Sequence, residues 1–319
     1  MKAVVLDETG LSLKDYVLPE CGSGQSRIDL RYMSLNHRDV FITQGLYAGI
    51  RYPIVLGSDG SGIIEGKQVL LNPSVNWYSD KTGQPGDFEI IGLPRDGTLR
   101  QAGHFDTRLI HDIPDHLSME EASALPLAGL TAYRVVFSRC GVKAGDRVLV
   151  TGIGGGVALF AAQFAMAAGA EVWVTSGKDD KLEKARSLGI KGGRNYKEEG
   201  WHKKLMAESG GFDVIIDSAG GPGFANLLVL ANAGARIGIY GGTTGKLKGV
   251  SPQIIFWKQL NILGSTMGNH TEFAEMLGFV TTHRIRPVID SVFQMQEYKA
   301  AFDRMATGQQ FGKIVISLT

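Results

Sequence analysis

Apolar residues follow two alternating periods along the second half of the chain. Short runs rich in β-branched residues, typical of buried strands, are followed by longer stretches with apolar residues at helical spacing. The strand-like runs are RVLVT, EVWVT, FDVIID, ARIGIY and NILGSTM, and the helical stretches are VALFAAQFAMAA, DDKLEKARSL and FANLLVLANA. Strict alternation of this kind predicts a parallel sheet with right-handed crossovers. The pattern in residues 147–267 therefore predicts a doubly wound α/β domain.

The flanking segments have a different pattern. Residues 1–115 contain short strand-like runs broken by glycine, proline, asparagine and aspartate, which indicates a compact β-rich domain with long loops. The sequence from Ser118 to Glu121 is that of a capping box, which begins a helix. Beyond the predicted sheet, helical spacing is followed by a closing strand, KIVIS. We divide the chain into residues 1–120, 121–258 and 259–319, the last of which begins near the final strand of the sheet.

Residues 150–163, VTGIGGGVALFAAQ, carry a glycine loop where the first predicted strand gives way to a helix. Gly152, Gly155 and Ala158 have the spacing G-x-x-G-x-x-A, and small residues there let the backbone approach a pyrophosphate. The free N–H groups at the start of the helix favour an anion. A glycine turn that only packs the helix on the sheet is the alternative, but the strand–helix repeats downstream favour a dinucleotide site.

The end of the second predicted strand indicates which dinucleotide is bound. NAD-specific sites carry an acidic residue about 20 residues after the glycine loop, but EVWVT is followed by Ser176 and then Lys178. Lys178 can pair with a 2′-phosphate, and Asp179 and Asp180 lie where they would begin a helix. We therefore predict NADP as the cofactor. Tyr196 is either a second phosphate contact or an ordinary tyrosine at the edge of the sheet.

Composition narrows the range of partners. The chain has 319 residues, of which 44% are hydrophobic, so it can bury the cores of two domains. Its 33 basic and 32 acidic residues leave a net charge of +1 without a basic block, which argues against nucleic acid. The only cysteines, Cys21 and Cys140, form no metal or disulfide motif, and neither a signal core nor a bilayer-spanning run is present. We expect a cytoplasmic protein that binds a small molecule and no membrane.

Seven segments, spread over almost the whole chain, belong to one family pattern. They are SLNHRDVFITQGLY, LGSDGSGIIEG, EEASALPLAGLTAY, VKAGDRVLVTGIGGGVALFAAQFA, FDVIIDSAGG, YGGTTG and FGKIVISL. In order and spacing the chain resembles the medium-chain dehydrogenase/reductase superfamily, and most of all its zinc-independent quinone oxidoreductase branch. The resemblance implies an α/β protein with a GroES-like β-rich domain, an inserted Rossmann domain with a doubly wound parallel sheet, and a C-terminal return to the first domain.

The resemblance also implies that no zinc is bound. Zinc-containing members place their catalytic ligands at positions that read here as Asn36, Ser58 with Asp59, and Leu127. A catalytic zinc requires Cys, His or carboxylate donors, and these positions offer one carboxylate. Residues 72–100, where those members have a structural-zinc lobe, contain no cysteine. We therefore expect no metal.

By the same resemblance Asn36, Asp39 and Tyr47 line the substrate side of the nicotinamide, and they are the predicted catalytic residues. Asp39 could instead cap a helix that begins at Val40. Phe41 stands where several such reductases have tyrosine. With the glycine loop and the strand ends counted, the predicted cofactor-binding residues are Thr131, Gly152, Gly155, Gly156, Val157, Ser176, Lys178, Tyr196, Tyr240, Gly241, Ser265, Gly312 and Lys313.

The predicted activity is hydride transfer from NADPH to a quinone or an α,β-unsaturated carbonyl without zinc. Two alternatives stay open, an NADP-dependent alcohol or aldehyde oxidoreductase and a non-catalytic NADPH-binding redox sensor. The run NILGSTM is the last predicted strand of the Rossmann sheet, and an edge strand invites pairing with a second copy of the chain. The family resemblance also implies a homodimer, which we therefore expect.

Overall fold

The chain leaves its first compact unit at residue 130 and returns to it at residue 268. In this computed structural model, which describes residues 1–80 and 82–319, unit 1 comprises Met1–Leu130 with Gly268–Thr319, and unit 2 comprises Thr131–Met267. The division of the sequence at 120/121 and 258/259 stays a prediction about domains. No helix within the described ranges is both long and apolar enough to cross a membrane.

The regular elements are numbered in chain order. The strands are β1 (Lys2–Asp7), β2 (Gly10–Asp15), β3 (Gln25–Ser34), β4 (Ile54–Val55), β5 (Asp59–Ile64), β6 (Lys67–Leu71), β7 (Ser74–Val75), β8 (Glu89–Ile91), β9 (Pro94–Arg95), β10 (Ala102–Asp106), β11 (Ile110–Asp112), β12 (Arg147–Val150), β13 (Glu171–Ser176), β14 (Gly192–Asn195), β15 (Phe212–Asp217), β16 (Ala231–Ile239), β17 (Asn261–Gly264), β18 (Ile289–Gln294) and β19 (Lys313–Ser317). The α-helices are α1 (His37–Thr43), α2 (Met119–Ser123), α3 (Pro126–Tyr133), α4 (Gly156–Ala167), α5 (Asp179–Ser187), α6 (Trp201–Ser209), α7 (Phe224–Leu230), α8 (Pro252–Trp257), α9 (His270–Thr282) and α10 (Tyr298–Ala306). Single-turn 3-10 helices lie at Thr107–Leu109 and Met295–Glu297, and a π-helix at Arg134–Arg139.

The main sheet of unit 1 joins strands from both ends of the chain. Its order is β11-β6-β5-β3-β19-β18, with β10 also paired to β3. The C-terminal strand β19 runs antiparallel to β3, with Ile316 opposite Met33, and parallel to β18. Ile28, Leu30 and Met33 of β3 are buried together with Ile314 and Ile316 of β19, which places the C-terminal segment inside the core of unit 1.

Unit 2 is built on an all-parallel sheet in the order β14-β13-β12-β15-β16-β17. The chain passes between successive strands through helices α4 to α8. Leu149, Phe212, Ile215 and Ile237 on the strands and Leu228 on α7 are buried in one apolar cluster. Strands that are buried in this way read as continuous apolar runs, which is why the pattern is visible in the sequence. The predicted doubly wound parallel sheet is confirmed.

Two stretches of unit 2 differ from the sequence pattern. The pattern predicts a helix throughout FANLLVLANA, but α7 ends at Leu230 and β16 begins at Ala231, which pairs with Phe212 of β15. The short strand β14 was not predicted because its sequence, GGRN, contains no β-branched residue. Its pairing with β13, with Gly192 opposite Trp173, is a tertiary contact that no local pattern indicates.

The predicted capping box at the start of α2 is confirmed. The Glu121 backbone N–H donates to the Ser118 hydroxyl at 3.1 Å, and the Ser118 N–H donates to the Glu121 carboxylate at 2.9 Å. Two helix-terminal donors are therefore satisfied within one turn.

Candidate functional site

The NHRD stretch forms the start of helix α1, which begins at His37. Asp39 is the third helical residue, and its Oδ2 accepts a hydrogen bond from the Asn36 backbone N–H at 2.8 Å. The expectation that Asp39 caps a helix beginning at Val40 was therefore wrong, because Asn36 is the N-cap and Asp39 closes the capping box from inside the helix. Burial raises the pKa of the Asp39 carboxyl above its ordinary value, and the Arg38 charge lowers it in part. Its second oxygen, Oδ1, is buried without a hydrogen-bond partner among the described residues.

A second buried carboxylate, Asp59 at the start of β5, collects four donors. Its Oδ2 accepts from the Ser34 hydroxyl, the Asn36 Nδ2 and the Lys313 Nζ, each at 2.9 Å. Its Oδ1 accepts from the Leu127 backbone N–H at 2.7 Å. The sheet explains the convergence, because β3 lies between β5 and β19 and pairs Ser34 with Asp59. A fully buried charge is tolerable only with this degree of pairing.

Lys313 supplies the cation of this network. Its ammonium donates to Asp59 Oδ2 at 2.9 Å, to Asn36 Oδ1 at 2.7 Å and to the Leu35 carbonyl at 2.9 Å, so its three protons have three acceptors. Only 3% of Lys313 is exposed. Its predicted role as a cofactor contact stays a prediction. Gly312 before it has φ +120°, and a Cβ there would lie 2.3 Å from the Val288 carbonyl oxygen, so close packing also requires this glycine.

The network does not fit a catalytic zinc. Of the positions that zinc-containing relatives would use, Leu127 offers an apolar side chain, and the oxygens of Asn36 and Asp59 already bind the ammonium of Lys313. A zinc ion at this place would be repelled by that ammonium and would lack nitrogen and sulfur donors. Within residues 1–80 and 82–319, no group of three or more His, Cys, Asp or Glu side chains could hold a metal ion.

Arg38 fixes the segment that carries Tyr47. Its Nη1 donates to the Ser58 hydroxyl at 2.6 Å and to the Ile91 carbonyl at 3.0 Å, so helix α1 is tied to strand β8. The Cζ of this buried guanidinium lies 5.5 Å from the centroid of the Tyr47 ring, a cation–π arrangement. Tyr47 itself is 38% exposed.

The glycine loop of unit 2 has the geometry of a phosphate-binding turn. Gly152 and Gly154 have φ values of +67° and +125°, which side chains disfavour. The loop is tied to β13, because the Gly152 N–H donates to the Thr175 hydroxyl at 3.3 Å. Gly155 precedes α4 with extended backbone, and a Cβ placed there would meet no described atom within 4 Å. Open space before a helix N-terminus, where Gly156 and Val157 begin α4, fits the phosphates of a dinucleotide.

Lys181 on α5 is a residue that the sequence pattern did not single out. It is buried, and its ammonium lies 3.1 Å from the place a Gly154 Cβ would occupy. A cation is therefore fixed beside the glycine loop. The sequence contained one signal, a basic residue one helical turn after Lys178, but DDKLEKARSL reads equally well as an ordinary exposed helix.

Ser176, Lys178 and Tyr196 meet where β13 and β14 end. The Lys178 N–H donates to the Ser176 hydroxyl at 3.2 Å, and the Tyr196 N–H donates to the Ser176 carbonyl at 2.9 Å. A Cβ at Gly177 would lie 2.6 Å from the Tyr196 hydroxyl oxygen, so the phenol covers this glycine. Asp179 begins α5, as expected, and accepts a hydrogen bond from Asn195.

Tyr240, Gly241 and Ser265 follow the ends of β16 and β17. The Ser265 N–H donates to the Ile239 carbonyl at 2.8 Å, and its buried hydroxyl has no partner in the described part of the chain. A Cβ at Gly241 would lie 2.8 Å from the Ser218 carbonyl oxygen. Burial raises the pKa of Tyr240 above its ordinary value, although a hydrogen bond with Ser218 lowers it in part. These residues thus share the carboxyl edge of the parallel sheet, where such folds bind ligands.

Thr131, the remaining predicted contact, lies at the beginning of unit 2. It is buried, and its hydroxyl lies 3.9 Å from the Met267 sulfur at the other end of the same unit. The predicted residues of unit 2 therefore occupy three places, namely the glycine loop, the carboxyl edge of the sheet and the two ends of the unit.

Comparisons with known proteins agree with this geometry. Residues 22–115 match the alcohol dehydrogenase GroES-like domain, and residues 156–282 match the zinc-binding dehydrogenase family. The zinc-type alcohol dehydrogenase-like protein YogA of Leptosphaeria maculans is 35% identical over 94% of this chain and 92% of its own length. The chain belongs to the medium-chain dehydrogenase/reductase superfamily. It is therefore an oxidoreductase of this superfamily, and the predicted combination of GroES-like and Rossmann domains is confirmed.

Solved structures of this superfamily match along the whole chain. An NAD-dependent alcohol dehydrogenase is 31% identical with a TM-score of 0.93, and each chain is covered completely. The quinone oxidoreductase of Thermus thermophilus, whose complex with NADPH was also solved, is 26% identical with a TM-score of 0.84, again with complete coverage of both chains. Relatives of this fold therefore use either nucleotide, and the choice in this chain depends on its own residues.

Proposed function

We propose that the protein transfers hydride from NADPH to a quinone or an α,β-unsaturated carbonyl without a metal ion. One observation supports the proposal that no metal ion takes part in the reaction. The ammonium of Lys313 lies 2.7 Å from Asn36 Oδ1 and 2.9 Å from Asp59 Oδ2, at two of the positions where zinc-containing relatives would bind their ion. Quinones and enones accept hydride more readily than simple ketones, so their reduction depends less on a Lewis acid.

The preference for NADPH is supported by the end of β13. No carboxylate stands there to accept hydrogen bonds from a ribose 2′-hydroxyl, and Lys178 and Tyr196 lie beside the Ser176 backbone. An ammonium and a phenol suit a 2′-phosphate. Lys181 adds a positive charge next to the glycine loop.

When bound, NADPH supplies the hydride. The side chains of unit 1 then stabilise negative charge on the acceptor oxygen, for which we propose the Asn36 amide N–H and the Tyr47 hydroxyl as donors. Solvent or Tyr47 supplies the proton that completes the reduction. Asp39 is fully buried and binds the Asn36 backbone, so we assign it a positioning role.

A substrate panel tests this proposal. Purified protein should oxidise NADPH with quinones and enones much faster than with simple aldehydes, and it should keep this activity in a strong chelator. Tyr47→Phe should lower kcat for a quinone and leave NADPH affinity unchanged, with Tyr52→Phe, another exposed tyrosine, as the matched control. Steady alcohol oxidation with NADP would favour the alcohol dehydrogenase alternative, and NADPH binding without turnover of any substrate would favour the redox sensor.

We also propose that the protein is a homodimer joined through β17. This strand forms one edge of the parallel sheet, and its Ile262 is exposed. Nearby in sequence, Phe256 and Trp257 at the end of α8 are 63% and 83% exposed. An unpaired strand edge flanked by large apolar side chains suits a second copy of the same strand across a two-fold axis.

A further inference from the structure

We infer that Lys313 is a second positioning residue of the reaction, beside Asp39, and that its ammonium fixes and polarises the Asn36 amide as the donor to the acceptor oxygen. The inference rests on the proposed function and names the part of unit 1 that replaces a metal ion. Lys313 itself has no free proton for a substrate, because its three N–H groups donate to Asp59, Asn36 and the Leu35 carbonyl. Its effect must therefore pass through a neighbour.

The three side chains form a closed ring of hydrogen bonds. Lys313 Nζ donates to Asn36 Oδ1, Asn36 Nδ2 donates to Asp59 Oδ2, and Lys313 Nζ also donates to Asp59 Oδ2. A flipped Asn36 amide would place its NH₂ group against the ammonium and its oxygen against the carboxylate. Both contacts would be repulsive, so the ring determines the orientation of the amide from charge alone.

The ring leaves one amide proton for a ligand. One Nδ2 proton of Asn36 is directed to Asp59, and the second is the proton that we assign to the acceptor oxygen. Of the three residues, Asn36 has the largest exposed fraction, at 7%, against 3% for Lys313 and none for Asp59. The amide is therefore the member of the ring through which the buried charges act on a bound molecule.

The ammonium also strengthens this donor. A cation that binds the oxygen of an amide draws electron density from its nitrogen, and hydrogen bonds in such a chain reinforce one another. The effect is large in this setting because all three side chains are at least nine-tenths buried, where charges are weakly screened. A zinc ion would act on the oxygen directly, whereas the ammonium of Lys313 acts through one intervening amide.

A simpler role for Lys313 would be to neutralise Asp59 and so to stabilise the core. The two roles differ in what happens when Asn36 is absent. If Lys313 acts through Asn36, its replacement has little further effect on kcat in a protein that already lacks the amide. If Lys313 only stabilises the fold, its replacement lowers stability without regard to Asn36 and leaves kcat per folded molecule unchanged.

A double-mutant cycle on kcat tests the inference. Steady-state reduction of a quinone by NADPH is measured for the wild type, Lys313→Met, Asn36→Ala and the double variant, with Lys67→Met, a surface lysine of unit 1, as the control. We expect Lys313→Met to lower kcat about 10-fold or more, Asn36→Ala to lower it on the order of 100-fold, and the double variant to equal Asn36→Ala. The dissociation constant of NADPH should change by less than about 2-fold in Asn36→Ala and in the Lys67→Met control.

Two outcomes would overturn the inference. One is an unchanged kcat in Lys313→Met, and the other is a double variant whose loss equals the product of the two single losses. If Lys313→Met does not fold, it is combined with Asp59→Asn, which leaves no unpaired buried charge, and the combined variant must show a lower kcat than Asp59→Asn alone. A wild type that reduces no quinone or enone would instead contradict the proposed function, so the two failures are distinguishable.

Discussion

Asp59 and Asp39 show how two carboxylates in one buried region of unit 1 differ at the level of single residues. Asp59 is fully buried, and four donors surround it, one of them a cation. Asp39 is equally buried, but its Oδ1 lacks a partner among the described residues, and burial raises its pKa. The charged form is therefore poorly stabilised at Asp39.

We propose that Lys178 decides which nucleotide the protein binds. Lys178→Ala should weaken NADPH binding on the order of 10-fold or more and NADH binding hardly at all, because only NADPH carries the 2′-phosphate. Lys191→Ala is the matched control. Lys191 is also exposed, but it precedes β14 and so lies at the amino ends of the parallel strands, whereas Lys178 lies at their carboxyl ends. Titration of each variant with both nucleotides provides the measurement. Equal losses for the two nucleotides would show that Lys178 does not recognise the phosphate.

Asp290 provides a pH-dependent prediction at the same scale. Burial alone would raise its pKa, but hydrogen bonds from Arg304, the Phe311 N–H and the Ser291 hydroxyl lower the pKa below the ordinary value. A carboxyl whose pKa is lowered by folding stabilises the native state above its unfolded pKa of about 3.9. That contribution is lost as the pH falls from there through the folded pKa.

Asp290→Asn should therefore lower the free energy of unfolding by roughly 1.5–3 kcal/mol at neutral pH, the usual range for hydrogen bonds to a charged group. The difference from the wild type should shrink as the pH falls below about 4. Urea unfolding between pH 3 and 7, with the exposed Asp303→Asn as control, measures it. A difference that grew towards acid pH would contradict the assignment.

At the scale of elements, the glycine loop combines strain and open space in neighbouring residues. A Cβ at Gly154 would lie 2.8 Å from the Lys181 Cδ, and φ is +125° there, whereas Gly155 has φ −80° and open space around its Cβ position. Gly154→Ala should cost roughly 1–3 kcal/mol of stability. Gly155→Ala should fold normally and bind NADPH weakly, because its methyl group would occupy the space that fits a phosphate.

Thermal unfolding without nucleotide and NADPH titration separate these two effects. Ala167→Gly, in the last turn of α4 and far from the glycine loop in sequence, is a control for a change of backbone freedom in the same helix. If Gly155→Ala bound NADPH as tightly as the wild type, the phosphates would not lie over this residue. If Gly154→Ala were as stable as the wild type, the Lys181 side chain would have moved away from the new methyl group without a loss of stability.

Arg38 shows why an element can be predicted while its contacts are not. The residues around it indicated a helix start, and the structure contains one at His37. The guanidinium turns inward, however, to Ser58 and the Ile91 carbonyl, which are 20 and 53 residues away in sequence. Nothing in a local pattern distinguishes this arginine from an exposed one, because its partners are brought together only by the packing of α1 on unit 1.

At the scale of the whole molecule, the proposed dimer depends on the edge of one sheet. Ile262→Lys should convert the dimer to a monomer, because lysine on an edge strand opposes pairing with another strand. Val292→Lys is the matched control, since Val292 is likewise exposed and lies on β18, an edge strand of the sheet in unit 1. Light scattering after size-exclusion chromatography at micromolar concentration gives the mass. A wild type that ran as a monomer would contradict the proposal.

The sequence by itself determined the classes of elements and the family. Buried parallel strands require continuous apolar runs, and a phosphate turn requires glycine, so RVLVT, FDVIID and the loop at Gly152–Gly156 were recognisable from local residues alone. Once the family resemblance had located the zinc positions, the absence of donors at Asn36 and Leu127 was visible too, because ligand chemistry is a property of the residue type.

Only the tertiary structure decided what stands in place of those donors. Lys313 lies 277 residues from Asn36 in sequence and 2.7 Å from it in space, because β19 pairs with β3 in the sheet of unit 1. Lys181 likewise reaches the glycine loop only because α5 packs beside it. A buried charge is specified by its partners, and partners from distant segments are chosen by the pairing of strands and the packing of helices, which no local stretch of sequence contains.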